Sequence, residues 1–292
     1  MELKPLSEVD LREAIGPINR AVTGHYLPAV RTVSGLRERA QLGVLDLKLS
    51  RCAFLGGRLV GTCLIERVDE RAHLDAIGVD PLAQQRGVGH AMLEAACCAA
   101  EASGVAVLTA EISDSDAAMM ATLQSAGFVG GRELGRFELR GPPADLPVPD
   151  EIEEVAVRAP ATRGQSFVRP VPLTEALETV QRARGAALAE APFAHQPAVL
   201  ERLRSRLGCY LLLQLDQDSP VLGAAVLERD RHLLVSLGGH MDRLAPLVVL
   251  LARRHGVVAM DSVPEGDPLG QVLSQAGFQR TAVRREMLRR LG

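Results

Sequence analysis

The stretch Gln84–Leu93 reads QQRGVGHAML, and its interpretation decides the fold. Gly87 and Gly89 flank a valine, behind Arg86 and ahead of an apolar, alanine-rich run. Glycine has no Cβ, so both positions can adopt positive φ and let an anion approach the main chain. A helix starting near Val88 would present its unpaired N–H groups, and roughly half a positive charge, at the same place. Taken alone, the stretch also suits an ordinary strand-to-helix turn. Its surroundings have to choose.

Upstream, His73–Val79 has strand character and closes at Asp80–Pro81. Downstream, Met92, Leu93, Ala96, Cys97 and Ala100 recur at helical spacing and predict a helix over Val88–Ala102. Further out, Glu2–Leu6 predicts a strand, and Asp10–Val22 and Ser34–Leu42 predict helices. Lys48–Leu55 and Arg58–Arg67 predict a hairpin around Gly56–Gly57. Val105–Ile112 follows as a strand, then a helix over Ser115–Ser125 capped by Ser113 or Asp114, and a last strand at Arg136–Arg140. The strand–helix–strand unit in the middle requires a parallel pair with a right-handed crossover. There is no Gly-Lys-Ser/Thr, which excludes a nucleoside-triphosphate P-loop. Met92 stands where a dinucleotide fingerprint has its third glycine.

The chain repeats itself. LQSAGF at Leu123–Phe128 returns as LSQAGF at Leu273–Phe278, and VGTCLIER at Val60–Arg67 returns as LGAAVLER at Leu222–Arg229. Gly104–Val105 returns as Gly256–Val257. From Arg67 to Gly104 is 37 residues but from Arg229 to Gly256 only 27, so the second copy is shorter where the first carries QQRGVGH. Between the copies lies a proline- and acid-rich connector, Gly141–Gln165. The expected division is residues 1–140, a linker at 141–165, and residues 166–292.

Composition narrows the function. The 292 residues are 47% apolar with a net charge of −3, and no basic stripe marks a nucleic-acid partner. The five cysteines, Cys52, Cys63, Cys97, Cys98 and Cys209, have neither zinc nor disulfide-framework spacing, and are expected as buried free thiols. No metal is expected. A polar N-terminal stretch and no apolar run near the roughly 20 residues of a membrane span lead to the expectation of a cytoplasmic protein without a membrane partner. A homodimer is an open alternative for its assembly.

Gln84-x-x-Gly87-x-Gly89 resembles the (Arg/Gln)-x-x-Gly-x-(Gly/Ala) motif of the GNAT N-acetyltransferase superfamily. Val79-Asp80-Pro81 before it, the helix after it, and Ala126-Gly127-Phe128 extend the resemblance over about Glu2–Arg140. Phe167–Leu291 is similar in element order and in Ala276-Gly277-Phe278, but lacks the loop. The implied fold class is α/β (α+β): two GNAT-like domains in tandem, the second degenerate. Each would be a mixed, mostly antiparallel sheet with a central splayed parallel pair and flanking helices. The implied cosubstrate is acetyl-CoA, with pantetheine on the main chain of Ile77, Gly78 and Val79 and pyrophosphate held at Gln84, Gln85, Arg86, Gly87, Val88, Gly89 and His90. Position 85 is often glycine in the family, and Gln85 departs from that.

The implied reaction is acetyl transfer to a primary amine of a small molecule or peptide, and it needs a base. Asp75 and His73 share a face of their strand if it carries no bulge, and Asp75, closer to the loop, is preferred; Glu111 is a third candidate. Leu123 occupies the position where many relatives have a tyrosine acid, and packs naturally with Met119 and Met120. Asp116 occupies the position of an asparagine often found at the head of that helix. Tyr26, in GHYLP, is the candidate acceptor contact. Leu123 keeps a second reading open, a non-catalytic module that binds acetyl-CoA. A third, a tandem aminoacyl- or amide-forming transferase, fits less well because the loop is intact.

Overall fold

The computed structural model describes residues 1–21, 31–151, 166–214 and 221–292. The chain forms two compact units: Met1–Arg132 together with Arg285–Gly292, and Glu133–Arg284.

The first unit runs β1 (Glu2–Pro5), α1 (Leu11–Ala21), α2 (Val33–Gln41), β2 (Arg51–Leu55), β3 (Arg58–Val68), β4 (Arg71–Val79), α3 (Val88–Ala102), β5 (Val107–Ser113), α4 (Ala117–Ser125) and the start of β6 (Val129–Glu138). β1 to β4 are antiparallel neighbours in chain order, and β5 joins β4 in parallel through the α3 crossover. Met92, Leu93, Ala96, Cys97 and Ala100 are fully buried, so the stripe read from their spacing is the face α3 lays on the sheet. α1 and α2 cover the other face, with Ala14, Ile18 and Leu36 in a second cluster.

α1 crosses directly over Gly78. A Cβ there would lie 2.5 Å from Ile18 Cα and 2.8 Å from Pro17 O, both backbone atoms that cannot swing aside. Gly78→Ala is therefore expected to destabilise the first unit by roughly 1–3 kcal/mol in urea unfolding followed by circular dichroism. Gly238→Ala, whose Cβ would meet Val180 Cα at 3.1 Å, is expected to cost less. Equal costs would contradict this reading of the contact.

The second unit runs β7 (Asp150–Glu151), β8 (Ser166–Pro170), α5 (Leu173–Arg184), α6 (Ala186–Ala189), α7 (Pro197–Arg202), β9 (Leu207–Gln214), β10 (Val221–Glu228), β11 (Leu233–Gly239), α8 (Met241–His255), β12 (Ala259–Pro264), α9 (Pro268–Gln275) and the start of β13 (Gln279–Arg290). β8 to β11 are antiparallel neighbours in chain order and β12 joins β11 in parallel, which repeats the first unit's scheme. Its own core centres on Leu244–Leu251 of α8, with Phe278 and Val257.

The division by packing differs from the one drawn at the connector. β6 and β13 are each shared: residues 129–132 and 285–290 belong to the first unit, residues 133–138 and 279–284 to the second. Inside the first unit, Met287 is fully buried in the core and Leu291 N–H donates to Ala106 O at 2.9 Å. Arg289 bonds Glu94 at 2.9 Å, and Arg132 holds Glu286 at 2.9 Å. Arg132 and Glu286 are 154 positions apart, and a strand completed across such a distance leaves no local sign in the sequence.

Four further expectations need correcting. β6 starts at Val129, not Arg136: Gly130 and Gly131 have loop character, but a Cβ on Gly131 would meet Glu286 O at 3.0 Å, so small residues belong in this strand. The cap of α4 is Asp116, accepting from Met119 N–H at 3.0 Å, because β5 runs on to Ser113 and Asp114 is drawn to Arg285. Cys98 is exposed, facing away from the α3 core, while the other four thiols are buried. β4 carries a bulge, described below. Among the described residues, no helix is long and apolar enough to cross a membrane.

Candidate active site

The loop at residues 80–87 is braced from beneath. Buried Asp80 caps the turn Pro81–Ala83 and pairs with Arg58 at 3.1 Å and Arg20 at 3.3 Å. The Gln84 side chain donates to Val79 O at 3.1 Å and ties the loop back to the end of β4. Gln85 has φ +59° and Gly87 φ +75°, both left-handed, which explains why glycine suits position 85. Gln84, Gln85, Arg86 and Gly87 are exposed, and nothing lies within 4 Å of where a Gly87 Cβ would stand.

Gly87 is the N-cap of α3 and supplies no side-chain cap. The first backbone bond of the helix is Ala91 N–H to Gly87 O. The N–H groups of Val88, Gly89 and His90 ahead of it are the open donors of the helix end. Val88 is buried and its side chain anchors the turn. His90 bonds Ser125 of α4 at 3.0 Å through Nδ1. Gly89 stands beside the strand: its Cβ would lie 3.7 Å from Val79 and 4.0 Å from Ile77.

That strand edge is open. β4 and β5 pair from Arg71↔Val107 to Leu74↔Ala110 and then part, so residues 75–79 have no strand partner on that side. The parting coincides with the bulge. Leu64 opposes Ala76 and Ile65 opposes Leu74, which leaves Asp75 as the extra residue. Face parity flips there: Ala72 and Leu74 pack on the α3 side, and so do Ile77 and Val79, while Ala76 packs towards α1 and α2. The simple alternation expected for His73 and Asp75 is therefore broken. Asp75 is held by Arg31, whose Nη2 donates to Oδ1 at 2.8 Å and to the main-chain O at 3.3 Å.

His73 accompanies a polar row on the α1/α2 side of the sheet. It stands opposite Glu66 of β3 and Thr109 of β5, and its Nδ1 lies 3.0 Å from Thr109 Oγ1. Burial pushes the imidazole below its ordinary pKa, against the pull of Glu111, Asp75 and Glu286. Glu66 is buried and paired with Arg39. Desolvation, helped by the nearby Asp75, raises its pKa to about 7 against the effect of Arg39. Glu66, Thr109, Arg31 and Arg39 were not singled out from the sequence. A signal existed for Glu66: an acid closes an otherwise apolar strand in VGTCLIER and again in LGAAVLER. Leu123 is fully buried in the core beside the partly buried Met119 and Met120 and carries no proton to give. Tyr26 lies outside the described residues.

The second unit gives an internal comparison. Glu228 matches Glu66, is equally buried, and pairs with Arg206 at 3.2 Å. Glu228 opposes Leu233, and Leu233 opposes Ala259, so leucine and alanine stand where His73 and Thr109 stand. The bulge recurs, with Val226↔Ser236 and Leu227↔Leu234 leaving Val235 at the place of Asp75. The splay recurs too, since β11 and β12 pair only through Leu233 and Leu234. Between β11 and α8, however, lies the single residue His240 instead of residues 80–87. Bulge, splay and Arg–Glu pair are thus features of the framework, whereas the loop and the histidine–threonine pair at these register positions occur in the first unit alone among the described residues. Those residues also include no group of three or more His, Cys, Asp or Glu side chains suited to a metal ion.

Comparisons with known proteins bear on the fold. The model of the acetyltransferase (GNAT) family matches residues 28–128. A putative acetyltransferase from Pyrococcus horikoshii is 14% identical with a TM-score of 0.67, covering 100% of this chain and 89% of that one. A tandem GNAT protein from the clavulanic acid biosynthesis pathway is 15% identical with a TM-score of 0.67, covering 100% and 99%. A GCN5-related N-acetyltransferase from Sphaerobacter thermophilus is 15% identical with a TM-score of 0.62, covering 99% and 95%. At these identities the likeness is one of fold. No curated protein sequence matches the chain. Residues 28–128, in the first unit, thus match the acetyltransferase (GNAT) family, and the chain as a whole has a tandem GNAT fold.

Proposed function

We propose that the chain transfers an acetyl group from acetyl-CoA to a primary amine of a small molecule or peptide, using one donor site, in the first unit. The observation that carries this is the meeting of two sets of open main-chain groups. The N–H donors of residues 88–90 stand near the unpaired strand edge at residues 75–79, where a Cβ on Gly89 would lie 3.7 Å from the Val79 side chain and 4.0 Å from that of Ile77. A pyrophosphate suits the first set and Arg86; the amides of a pantetheine arm suit the second. Acetyl-CoA supplies the activated thioester.

The amine has to lose a proton to attack, and His73 is suited to accept it, because a buried imidazole is favoured in its neutral, basic form. Asp75, preferred from the sequence, is engaged by Arg31, and that pairing moves the assignment to His73 and leaves Asp75 as an acidic contact for the incoming amine. With Leu123 in the core, the departing thiolate takes its proton from water. The second reading, a module that binds acetyl-CoA without turnover, draws its support from the same leucine.

Thermal melting tests the donor site. At about 1 mM acetyl-CoA, a hundredfold excess over Kd would stabilise the protein by about 2.7 kcal/mol. With an unfolding entropy of about 2.1 cal/mol/K per residue, that corresponds to a rise of roughly 4–5 °C for a chain of this size. Gly87→Glu combined with Gly89→Glu is expected to abolish the rise by placing negative charge at the anion site. No rise in the parent protein would end the donor-site assignment. Thiol release with any amine in a broad screen would remove the passive reading.

A further inference from the structure

We infer that the second unit carries a binding site of its own, for a small organic oxyanion: a phosphate or carboxylate group on an apolar body. A cavity of about 470 Å³ opens where β8 meets α5 and where the turn Arg204–Arg206 leads into β9. Small-molecule sites run to roughly 300–1,000 Å³. Arg204, Ser205 and Arg229 line it and are exposed. Val171, Leu207 and the buried Cys209 give it an apolar wall. All of these residues belong to the second unit.

The cationic side of this cavity is unmatched. Nearby, Glu228 pairs with Arg206 at 3.2 Å and with Arg231 at 3.6 Å, Asp230 with Arg206 at 3.3 Å, and Glu175 with Arg169 at 2.6 Å. Among the described residues, the guanidinium groups of Arg204 and Arg229 have neither an ion pair nor a hydrogen bond. Glu201 also lines the cavity and offsets one of the two charges, so one remains. Arg229 is seated over a glycine: a Cβ on Gly208 would lie 3.1 Å from its Nε and 3.3 Å from Tyr210 Cε2. The start of α5 adds to the attraction. Its N-cap is Pro172, which has no side-chain acceptor, and its first backbone bond is Ala176 N–H to Pro172 O. Leu173 and Thr174 line the cavity, and their N–H groups are among the open donors of that helix end. An arginine fork matches the oxygens of a carboxylate or phosphate two at a time.

In the first unit the same two groups are satisfied within the chain. Arg67 matches Arg229 in the repeat, and its Nε and Nη2 donate to Asp69 O and Ser103 O, each at 2.9 Å. α1 matches α5 in element order, and the Asp10 carboxylate covers its start by accepting from Arg12 N–H at 2.8 Å. In the second unit both arrangements are gone, and the two groups they would have satisfied border one cavity. Cys209 does not make the site reactive. Burial raises its pKa to about 11 against the pull of Arg229, so the thiol stays neutral. The site is one of reversible binding.

Titration calorimetry of the full chain with phenyl phosphate, benzoate and benzyl alcohol tests this. At least one of the two anions is expected to bind with a Kd of about 1 mM or lower. Benzyl alcohol, with the same ring and no charge, is expected not to bind. Tighter phenyl phosphate identifies a phosphate site and tighter benzoate a carboxylate site, and either supports the inference. The amide signals of Leu173 and Thr174 should shift during the titration. Arg204→Gln and Arg229→Gln are each expected to weaken binding about tenfold or more. They are separate variants, so one serves if the other folds poorly. Arg182→Gln, in the last turn of α5, is expected to leave binding unchanged. The inference is overturned if neither anion binds at about 10 mM, or if benzyl alcohol binds as well as the anions. It is also overturned if neither cavity arginine matters, or if Arg182→Gln costs as much as they do. The acetyl-CoA melting rise reports on the donor site separately, so failure of one reading leaves the other standing.

Discussion

Removing residues 285–292 is expected to unfold the first unit and leave the second unit's core protected. Met287 is fully buried among α3, α4 and β5 residues, and truncating such a side chain alone costs roughly 2–5 kcal/mol. The deletion also strips the bonds of Arg289 to Glu94 and of Leu291 N–H to Ala106 O. It leaves Arg132 without Glu286 and exposes an edge of β5. A domain's whole stability is only about 5–15 kcal/mol, so this loss exceeds the margin. Hydrogen exchange reads the outcome. Amides of β4, β5 and α3 should lose protection, while those of α8 and β10 keep theirs. Met287→Ala should fall between parent and deletion. Full protection of β5 in the truncated chain would show that the strand is dispensable.

The second large effect is on pH dependence, through Glu66. Its pKa is about 7 when folded, against about 4.3 for a free glutamate, because burial disfavours the carboxylate. A raised pKa means that the folded state binds the proton more tightly. The associated stability is therefore fully present below about pH 4.3 and is lost as pH climbs through 7. The size is roughly 3 kcal/mol. His73 acts in the opposite sense: its lowered pKa costs stability as pH falls below about 6.5. Parent stability alone mixes the two, so the readout is a difference. The gap in opening free energy between Glu66→Gln and parent, measured by hydrogen exchange in β3 and β4, should move by roughly 3 kcal/mol in the variant's favour from pH 4.5 to pH 8. A constant offset is expected from the lost pairing with Arg39 and does not bear on the slope. A gap that stays flat with pH would show that Glu66 is ionised in the fold throughout.

Local chemistry was legible in the sequence, and long-range pairing was not. The limits of α3 followed from its apolar spacing and the glycines before it, and residues 88 and 102 are its observed ends. The internal repeat was visible because LQSAGF and VGTCLIER lie in buried elements whose packing restrains composition. The bulge at Asp75 was invisible: one extra residue in a strand is defined by its partner, and nothing in RAHLDAIGV marks it. The same holds for Glu66 and Arg39, which lie 27 positions apart and meet only once α2 lies on the sheet. The contact between His73 and Thr109 required the register of two parallel strands, which no turn chemistry sets.

The shared strands also order events in time. Residues 129–132 leave the ribosome long before residues 285–290, which complete the same unit. At roughly 5–20 residues per second, about 10–30 s separate the two. For that interval the growing chain holds β5 with an unclaimed edge, and the first unit stays open until the second has been made. Folding from the N-terminus onward, the usual course for two successive domains, is closed to this chain. The first unit is the first begun and the last closed.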